Sequence, residues 1–230
     1  MAMFTRTAVA RTRMTDYVRD PAEITRRSFA AIRREADLSH IPGDIVPLAL
    51  RMIHACGMTD LVADLVYSKG AGEAGRAALA AGAPILTDVE MVAHGIAARR
   101  LPAKNKVICM LGEAGVPDRA REAGMTRSAA AVELWRPMLE GALIAIGSAP
   151  TALFRLLEIM ADTVARPALV IATPPGFIGA AESKEALIAN GFGVPYLALR
   201  GRRGGSALAA AAVNALAIEE ELAWSTPLPG

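Results

Sequence analysis

Between residues 65 and 217 the chain alternates short apolar runs with helical patterns, and this alternation restricts the available folds more than any other feature. Runs at 65–68, 85–87, 106–111, 142–146, 168–172 and 196–199 read as strands, with helical patterns at 71–81, 89–96, 127–139, 151–161, 183–189 and 206–217. Strands that are apolar throughout need cover on both faces, and a helix between successive strands is the crossover that parallel pairing requires. The expectation is an α/β fold: a single doubly wound, mostly parallel sheet with helices on both faces. Two helices precede it. The first is announced by Asp20-Pro21 with Glu23 three residues after the cap, and runs toward Asp37. The second starts near Gly43-Asp44, has Pro47 in its first turn, and stops at Gly57.

The length of 230 residues suits one domain, expected over residues 14–230, with residues 1–13 as a flexible extension. Aromatics make up only 4% of the chain, so Ala, Leu, Val and Ile must fill most of the core. A net charge of +2 announces neither nucleic acid nor an anionic membrane as a partner. Of the 25 cationic side chains only Lys69, Lys104, Lys106 and Lys184 are lysine. Codon bias explains part of that imbalance, and recognition of carboxylate or phosphate by guanidinium forks is the functional reading. Cys56 and Cys109 sit in apolar runs without metal-ligand spacing and read as reduced core residues of a cytoplasmic protein. No apolar run approaches the roughly 20 residues that span a bilayer, and the first twenty residues lack the apolar core of a secretory signal.

In such a sheet, ligands gather where strands end and helices begin, because helix N-termini present free N–H groups and partial positive charge. Four segments have that form: Thr87-Asp88-Val89-Glu90, residues 147–151, residues 173–184 and residues 200–206. Each alone reads as an ordinary capped turn; together they suggest an anion-binding rim. The glycine fingerprints of dinucleotide enzymes and P-loop NTPases are absent, as are G-x-S-x-G, H-E-x-x-H and any Cys/His cluster. Of the three histidines, His40 lies in a connecting loop and His94 late in a short helix. His54 differs, because Arg51 stands three residues before it on the same helical face. A neighbouring guanidinium favours neutral imidazole, and a bound carboxylate would offset it and restore an acid. Spacing alone leaves a structural histidine and a proton-transfer residue both open.

At Arg51-Met52-Ile53-His54-Ala55-Cys56-Gly57 the chain resembles the precorrin-8X methylmutase (precorrin isomerase) family of cobalamin biosynthesis. The resemblance continues through Arg27-Ser28-Phe29, Asp88-Val89-Glu90-Met91-Val92-Ala93-His94-Gly95, Thr126-Arg127-Ser128, Ala149-Pro150-Thr151, Gly176-Phe177-Ile178-Gly179-Ala180-Ala181-Glu182-Ser183-Lys184 and Arg200-Gly201-Arg202. It spans about Tyr17 to Ala217, in order, departing mainly at Pro175, where the family usually has valine, and in a longer N-terminus. It implies an isomerase that moves a methyl group from C-11 to C-12 of a corrin precursor to give hydrogenobyrinic acid, with no cofactor and no metal. It implies His54 as the proton donor or acceptor and Ser28 and Arg51 as substrate contacts. Arg127 is the next choice as a carboxylate clamp, Thr87 and Asp88 fit a pocket wall, and Ser183 and Lys184 complete the candidate set; Arg26, Arg33 and Arg34 read as a solvated helix face. Partners implied are a polycarboxylate tetrapyrrole, a second copy of the chain in a homodimer, and neighbouring pathway enzymes receiving the product. The alternatives are the cobalt-precorrin-8 methylmutase reaction and a non-catalytic tetrapyrrole carrier.

Overall fold

A computed structural model of the chain describes residues 17–189 and 191–218; the expected extension over residues 1–13 lies outside them. The apolar runs form one six-stranded sheet: β1 (Leu65–Tyr67), β2 (Ile85–Thr87), β3 (Val107–Cys109), β4 (Leu143–Ile146), β5 (Leu169–Ala172) and β6 (Tyr196–Leu199), in the order β1-β6-β5-β4-β2-β3. All neighbours are parallel except β1 and β6, which run antiparallel with Leu65 opposite Leu199. β1 does not neighbour β2, its successor in the chain, so no direct crossover fixes its direction. Beyond the strand, Ser68 N–H donates to the Tyr196 carbonyl and Tyr196 N–H to the Ser68 hydroxyl, both at 3.0 Å.

Alternate strand residues face opposite ways, as the pleat requires. Leu143, Ala145, Leu169, Ile171, Leu197 and Leu199 join one core, whereas Ile144, Ile146, Val170, Ala172 and Ala198 join the other. The first core takes in α1 (Pro21–Glu35), α2 (Val46–Cys56), α3 (Ala71–Ala80), α4 (Glu90–Gly95) and α9 (Ser206–Ala217). The second takes in α6 (Arg127–Glu133), α7 (Pro150–Asp162) and α8 (Ala180–Ala189). This is the doubly wound α/β architecture expected from the sequence. Among the described residues no helix is long and apolar enough to cross a membrane.

The differences from expectation are local. α5 (Val116–Glu122) arises in a stretch rich in charge and without a long apolar stripe. The pattern at 127–139 breaks after Glu133 and resumes as a 3-10 turn, Arg136–Met138, because Pro137 has no N–H to give a continuing helix. α2 begins at Val46, and Asp44 instead accepts from Gly72 N–H (3.0 Å) at the start of α3. Cys56 and Cys109 are half-buried free thiols rather than full core members. Arg33 is not a solvated side chain: it is half-buried, one guanidinium nitrogen is shut off from solvent, and burial pushes its pKa down.

Glycines set how closely α9 approaches the elements beside the groove. A Cβ on Gly147, just past β4, would stand 2.8 Å from Ser206 Cα and 2.9 Å from Ala209 Cβ. One on Gly95 would stand 2.7 Å from Ala210 Cβ. The alanine run of α9 therefore does pack tightly, and its bare surface has a second consequence below.

Candidate active site

α2 is held by burial more than by propensity. Leu48, Leu50, Met52 and Ile53 are almost wholly enclosed, and each such side chain contributes about 1.5–3 kcal/mol by leaving water. Gly57, in a left-handed conformation (φ 71°), ends the helix by donating to the Ile53 carbonyl (2.7 Å). With its apolar side committed to the core, α2 presents Arg51 and His54 along the opposite edge. There they line an open groove of about 330 Å³ with Arg100, Ala207, Ala210 and Asn214 among its walls. The small side chains of α9 leave the space that the groove occupies.

His54 is exposed at its tip, and its ring lies 5.0 Å from the Phe29 ring, tilted by 34°. The Arg51 guanidinium sits over the same Phe29 ring at 5.7 Å. Phe29, buried on α1, thus orients both polar side chains from below. Partial burial lowers the His54 pKa first, and the Arg51 charge lowers it further. The free protein therefore holds a neutral imidazole at pH 7. Because the folded value lies below that of the unfolded chain, unfolding takes up the proton first. The group weakens the fold only as the pH falls below about 6.5. A histidine NMR titration of the free protein is expected to place His54 below 6.5, and Arg51→Met to recover only part of the shift, since burial remains. A midpoint above 6.5 would contradict this electrostatic picture.

The other six sequence candidates do not line this groove. Ser28 is half-buried and turns its hydroxyl back to the Ile24 carbonyl (2.8 Å). Arg127 is exposed and donates to the Leu111 carbonyl (3.2 Å). Thr87 is buried, 3.4 Å from the Ile108 carbonyl. Ser183 is fully buried and donates to the Ala180 carbonyl (3.1 Å). Lys184 is fully buried on α8, its ammonium donates to the Arg203 carbonyl (2.8 Å), and burial pushes it down to about 8.

Asp88 is the most committed of the six. Its carboxylate, 1% exposed, accepts from Gly147 N–H (3.0 Å), Ser148 N–H (2.9 Å) and Ala149 N–H (2.7 Å), immediately before α7. Burial raises its pKa, against the pull of the three N–H groups. The rim expected from the sequence is therefore largely occupied by the protein itself. Asp88 fills the loop after β4, while the loops after β5 and β6 join through Gly205 N–H to the Thr173 carbonyl (2.8 Å) and Gly176 N–H to the Arg202 carbonyl (3.1 Å).

Two further hollows, of about 410 and 380 Å³, lie along α5, α6 and α7, and the arginine they share, Arg155, is paired with Glu133 and Glu158. The His54 groove differs in that two arginines and no carboxylate line it among the described residues, which suits it to an anionic ligand beside a titratable ring. Among the described residues no cluster of three or more His, Cys, Asp or Glu side chains is placed to hold a metal ion. Sequence reasoning missed Phe29, Arg100 and Asn214 as parts of the site. Only tertiary packing brings them to His54; Phe29 stands in the Arg27-Ser28-Phe29 stretch, but nothing local marks it as a support for the histidine.

Residues 23–219 match the family model described as CbiC: Precorrin-8X methylmutase. A precorrin-8X methylmutase of Pseudomonas aeruginosa is 62% identical over 208 residues, 90% of this chain and 100% of that protein. One from Sinorhizobium sp is 54% identical over 202 residues, 88% of this chain and 96% of that protein. The crystal structure of precorrin-8X methyl mutase from Thermus thermophilus superposes with a TM-score of 0.77 at 38% identity, covering 85% of this chain and 94% of the other.

Proposed function

The chain belongs to the precorrin-8X methylmutase family, and from that premise we propose that it is the isomerase that moves a methyl group from C-11 to C-12 of precorrin-8X, giving hydrogenobyrinic acid in cobalamin biosynthesis. The observation that carries this reading is His54 at the edge of a groove lined by Arg51 and Arg100. Substrate carboxylates bound there bring negative charge to the side of His54. They raise the proton affinity of His54, which the free protein holds down. His54 then donates a proton or a hydrogen bond to the conjugated system near ring C. Electron density shifts, the methyl migrates to the adjacent carbon on the same face, and the proton returns. The methyl group need not touch the protein, and the reaction is redox-neutral.

Arg51 binds an acid side chain of the substrate beside His54. Ser28 and Arg127 belong to the reading as outer contacts, because the macrocycle with its acid arms is far larger than the groove. Thr87, Asp88, Ser183 and Lys184, all buried, support the loops behind the groove walls. The same mismatch in size supports a homodimer in which a second copy closes over the ligand, and sedimentation of the protein alone and with product tests that part. The reading places the reaction in the cytoplasm, with the product handed to the next enzymes of the pathway.

Anaerobic incubation of the purified protein with precorrin-8X, followed by visible spectroscopy, tests the whole. Formation of hydrogenobyrinic acid is expected. Tight binding without conversion would favour a carrier, and conversion of the cobalt-containing substrate alone would assign the chain to cobalt-precorrin-8. The two relatives at 62% and 54% identity bear the metal-free name, which favours the metal-free substrate.

A further inference from the structure

Phe177 and Ile178 stand side by side in the loop between β5 and α8, 79% and 88% exposed. A single exposed apolar side chain is ordinary, but an adjacent pair on a fixed loop marks a surface that something covers. Looseness does not account for the exposure. Before the pair, Gly176 N–H donates to the Arg202 carbonyl (3.1 Å). After it, the Gly179 carbonyl accepts from Ser183 N–H (2.9 Å), and a Cβ on Gly179 would stand 3.4 Å from Phe154 Cε2 and 3.5 Å from Pro150 Cβ. Both glycines hold positive φ, 148° and 75°, a conformation in which other residues are strained. The backbone is therefore fixed on either side of the pair.

A cation stands with them. The Arg202 guanidinium lies over the Phe177 ring, 5.0 Å from its centroid. The other two arginines of that loop are paired with acids, Arg200 with Glu185 (2.9 Å) and Arg203 with Asp60 (2.5 Å) and Asp64 (3.3 Å). Arg202 is the exception: it is exposed, and among the described residues its guanidinium meets the Phe177 ring but no acid. Apolar surface beside an unpaired guanidinium suits a ligand with a flat apolar body and carboxylate arms. The patch also adjoins the groove. Arg202 precedes Ala207, a groove-lining residue, by five residues, so their Cα atoms are at most about 18 Å apart. Where α9 begins, Gly205 N–H donates to the Thr173 carbonyl (2.8 Å) and the Thr173 hydroxyl to the Gly205 carbonyl (3.2 Å), tying the two loops together.

We propose that Phe177 and Ile178, with Arg202, form a second substrate contact: the apolar pair bears the flat face of the macrocycle beyond the groove, and Arg202 takes one of its carboxylate arms. This rests on the methylmutase reading above and deepens it, by naming what holds the part of the macrocycle that the groove is too small to take. The groove receives the edge that reacts at His54, and the loop supports the far side. Two separated contacts fix the tilt of a flat ring against the imidazole, which one contact cannot do. A second copy of the chain is the other occupant such a surface could take. The ligand is favoured because it brings several carboxylates to an arginine that has none.

The test compares wild type, the double variant Phe177→Ala/Ile178→Ala, Arg202→Ala and, as a control, Val164→Ala, whose side chain is 95% exposed just past the other end of α7 from Pro150. Each is titrated by visible spectroscopy with hydrogenobyrinic acid and with its fully amidated derivative, assayed for turnover of precorrin-8X, and sedimented. All four side chains are exposed, so melting temperatures stay those of wild type. The double variant is expected to raise Kd for both ligands by about tenfold to a hundredfold. Its KM rises alike, with kcat nearly unchanged because His54 is untouched. Arg202→Ala raises Kd for the acid by about tenfold and leaves the amidated ligand alone. Val164→Ala changes neither, and every variant sediments as wild type does. Wild-type affinity in the double variant overturns the proposal while leaving the methylmutase reading intact. So does a loss of affinity that tracks dissociation of an oligomer and vanishes at protein concentrations that restore it, which assigns the surface to a second copy. An equal loss on both ligands in Arg202→Ala overturns the charge contact. Failure of wild type both to bind product and to convert substrate overturns the methylmutase reading, and this contact with it.

Discussion

His54→Ala is expected to stop turnover: conversion of precorrin-8X falls by about two to four orders of magnitude, the usual contribution of one positioned acid or base. The far-UV circular dichroism stays that of wild type, because the imidazole is exposed and its one described ring contact is with Phe29. Product affinity falls far less than turnover does, since Arg51 and the remaining groove walls are untouched. His54→Asn sharpens the result. It keeps a hydrogen-bonding group of similar reach but cannot take or give a proton near neutral pH, so it should be nearly as inactive as alanine. A His54→Ala protein turning over at the wild-type rate would remove the histidine from the chemistry altogether.

The second large effect is on stability and comes from Asp88. Asp88→Ala leaves the N–H groups of Gly147, Ser148 and Ala149 without their acceptor. The first of these is in a buried contact and the other two are part-buried. Allowing for water reaching the outer two, the expected loss is about 3–4 kcal/mol. In a chain of this size that lowers the melting temperature by roughly 10 °C. Asp88→Asn is the gentler-looking but better probe: the amide nitrogen meets donors rather than acceptors, so it should not restore full stability even though its volume is conserved. Urea unfolding of both variants measures this, and wild-type midpoints would show that the loop before α7 holds its shape without the carboxylate. The effect should also reach the groove. Gly147 lies against Ser206 and Ala209 at the start of α9, and α9 supplies one wall of the groove, so Asp88→Ala also loses product affinity without touching the ligand.

What the sequence revealed and what it hid follow from the range of the interactions involved. The strands at 142–146 and 168–172 are written in their own composition, since only a doubly covered strand is apolar at every position. The caps at Asp20 and Gly57 are local, and both stand where the residue types place them. α5 stayed hidden because a short helix rich in charge has too little apolar periodicity to register. The antiparallel direction of β1 was hidden because no element next to it in the chain dictates it. In the site, the pairing of Arg51 with His54 was legible because three residues on a helix are one turn. Burial as the larger cause of the His54 shift was not, because it depends on what packs around the ring. Asp88 shows the limit most plainly. An acid at a strand end followed by a helix looks like part of a ligand site, and only the fold brings the loop at 147–149 to it. The alanines of α9 make the opposite point. Read as helix propensity and tight packing, they also form one groove wall.

The groove has one wall from α2 and another from α9, the last described helix. During synthesis the segment carrying His54 therefore leaves the ribosome long before the one that covers it. Leu48, Leu50, Met52 and Ile53 must wait through the emergence of six strands, β1 to β6, and the helices between them before α9 arrives. Contacts so distant in sequence make for slow folding and leave apolar surface open to chaperones or to aggregation meanwhile. They also act as a completeness check: a chain released before α9 has emerged lacks one wall of the groove, so a truncated product cannot offer a ligand the assembled site.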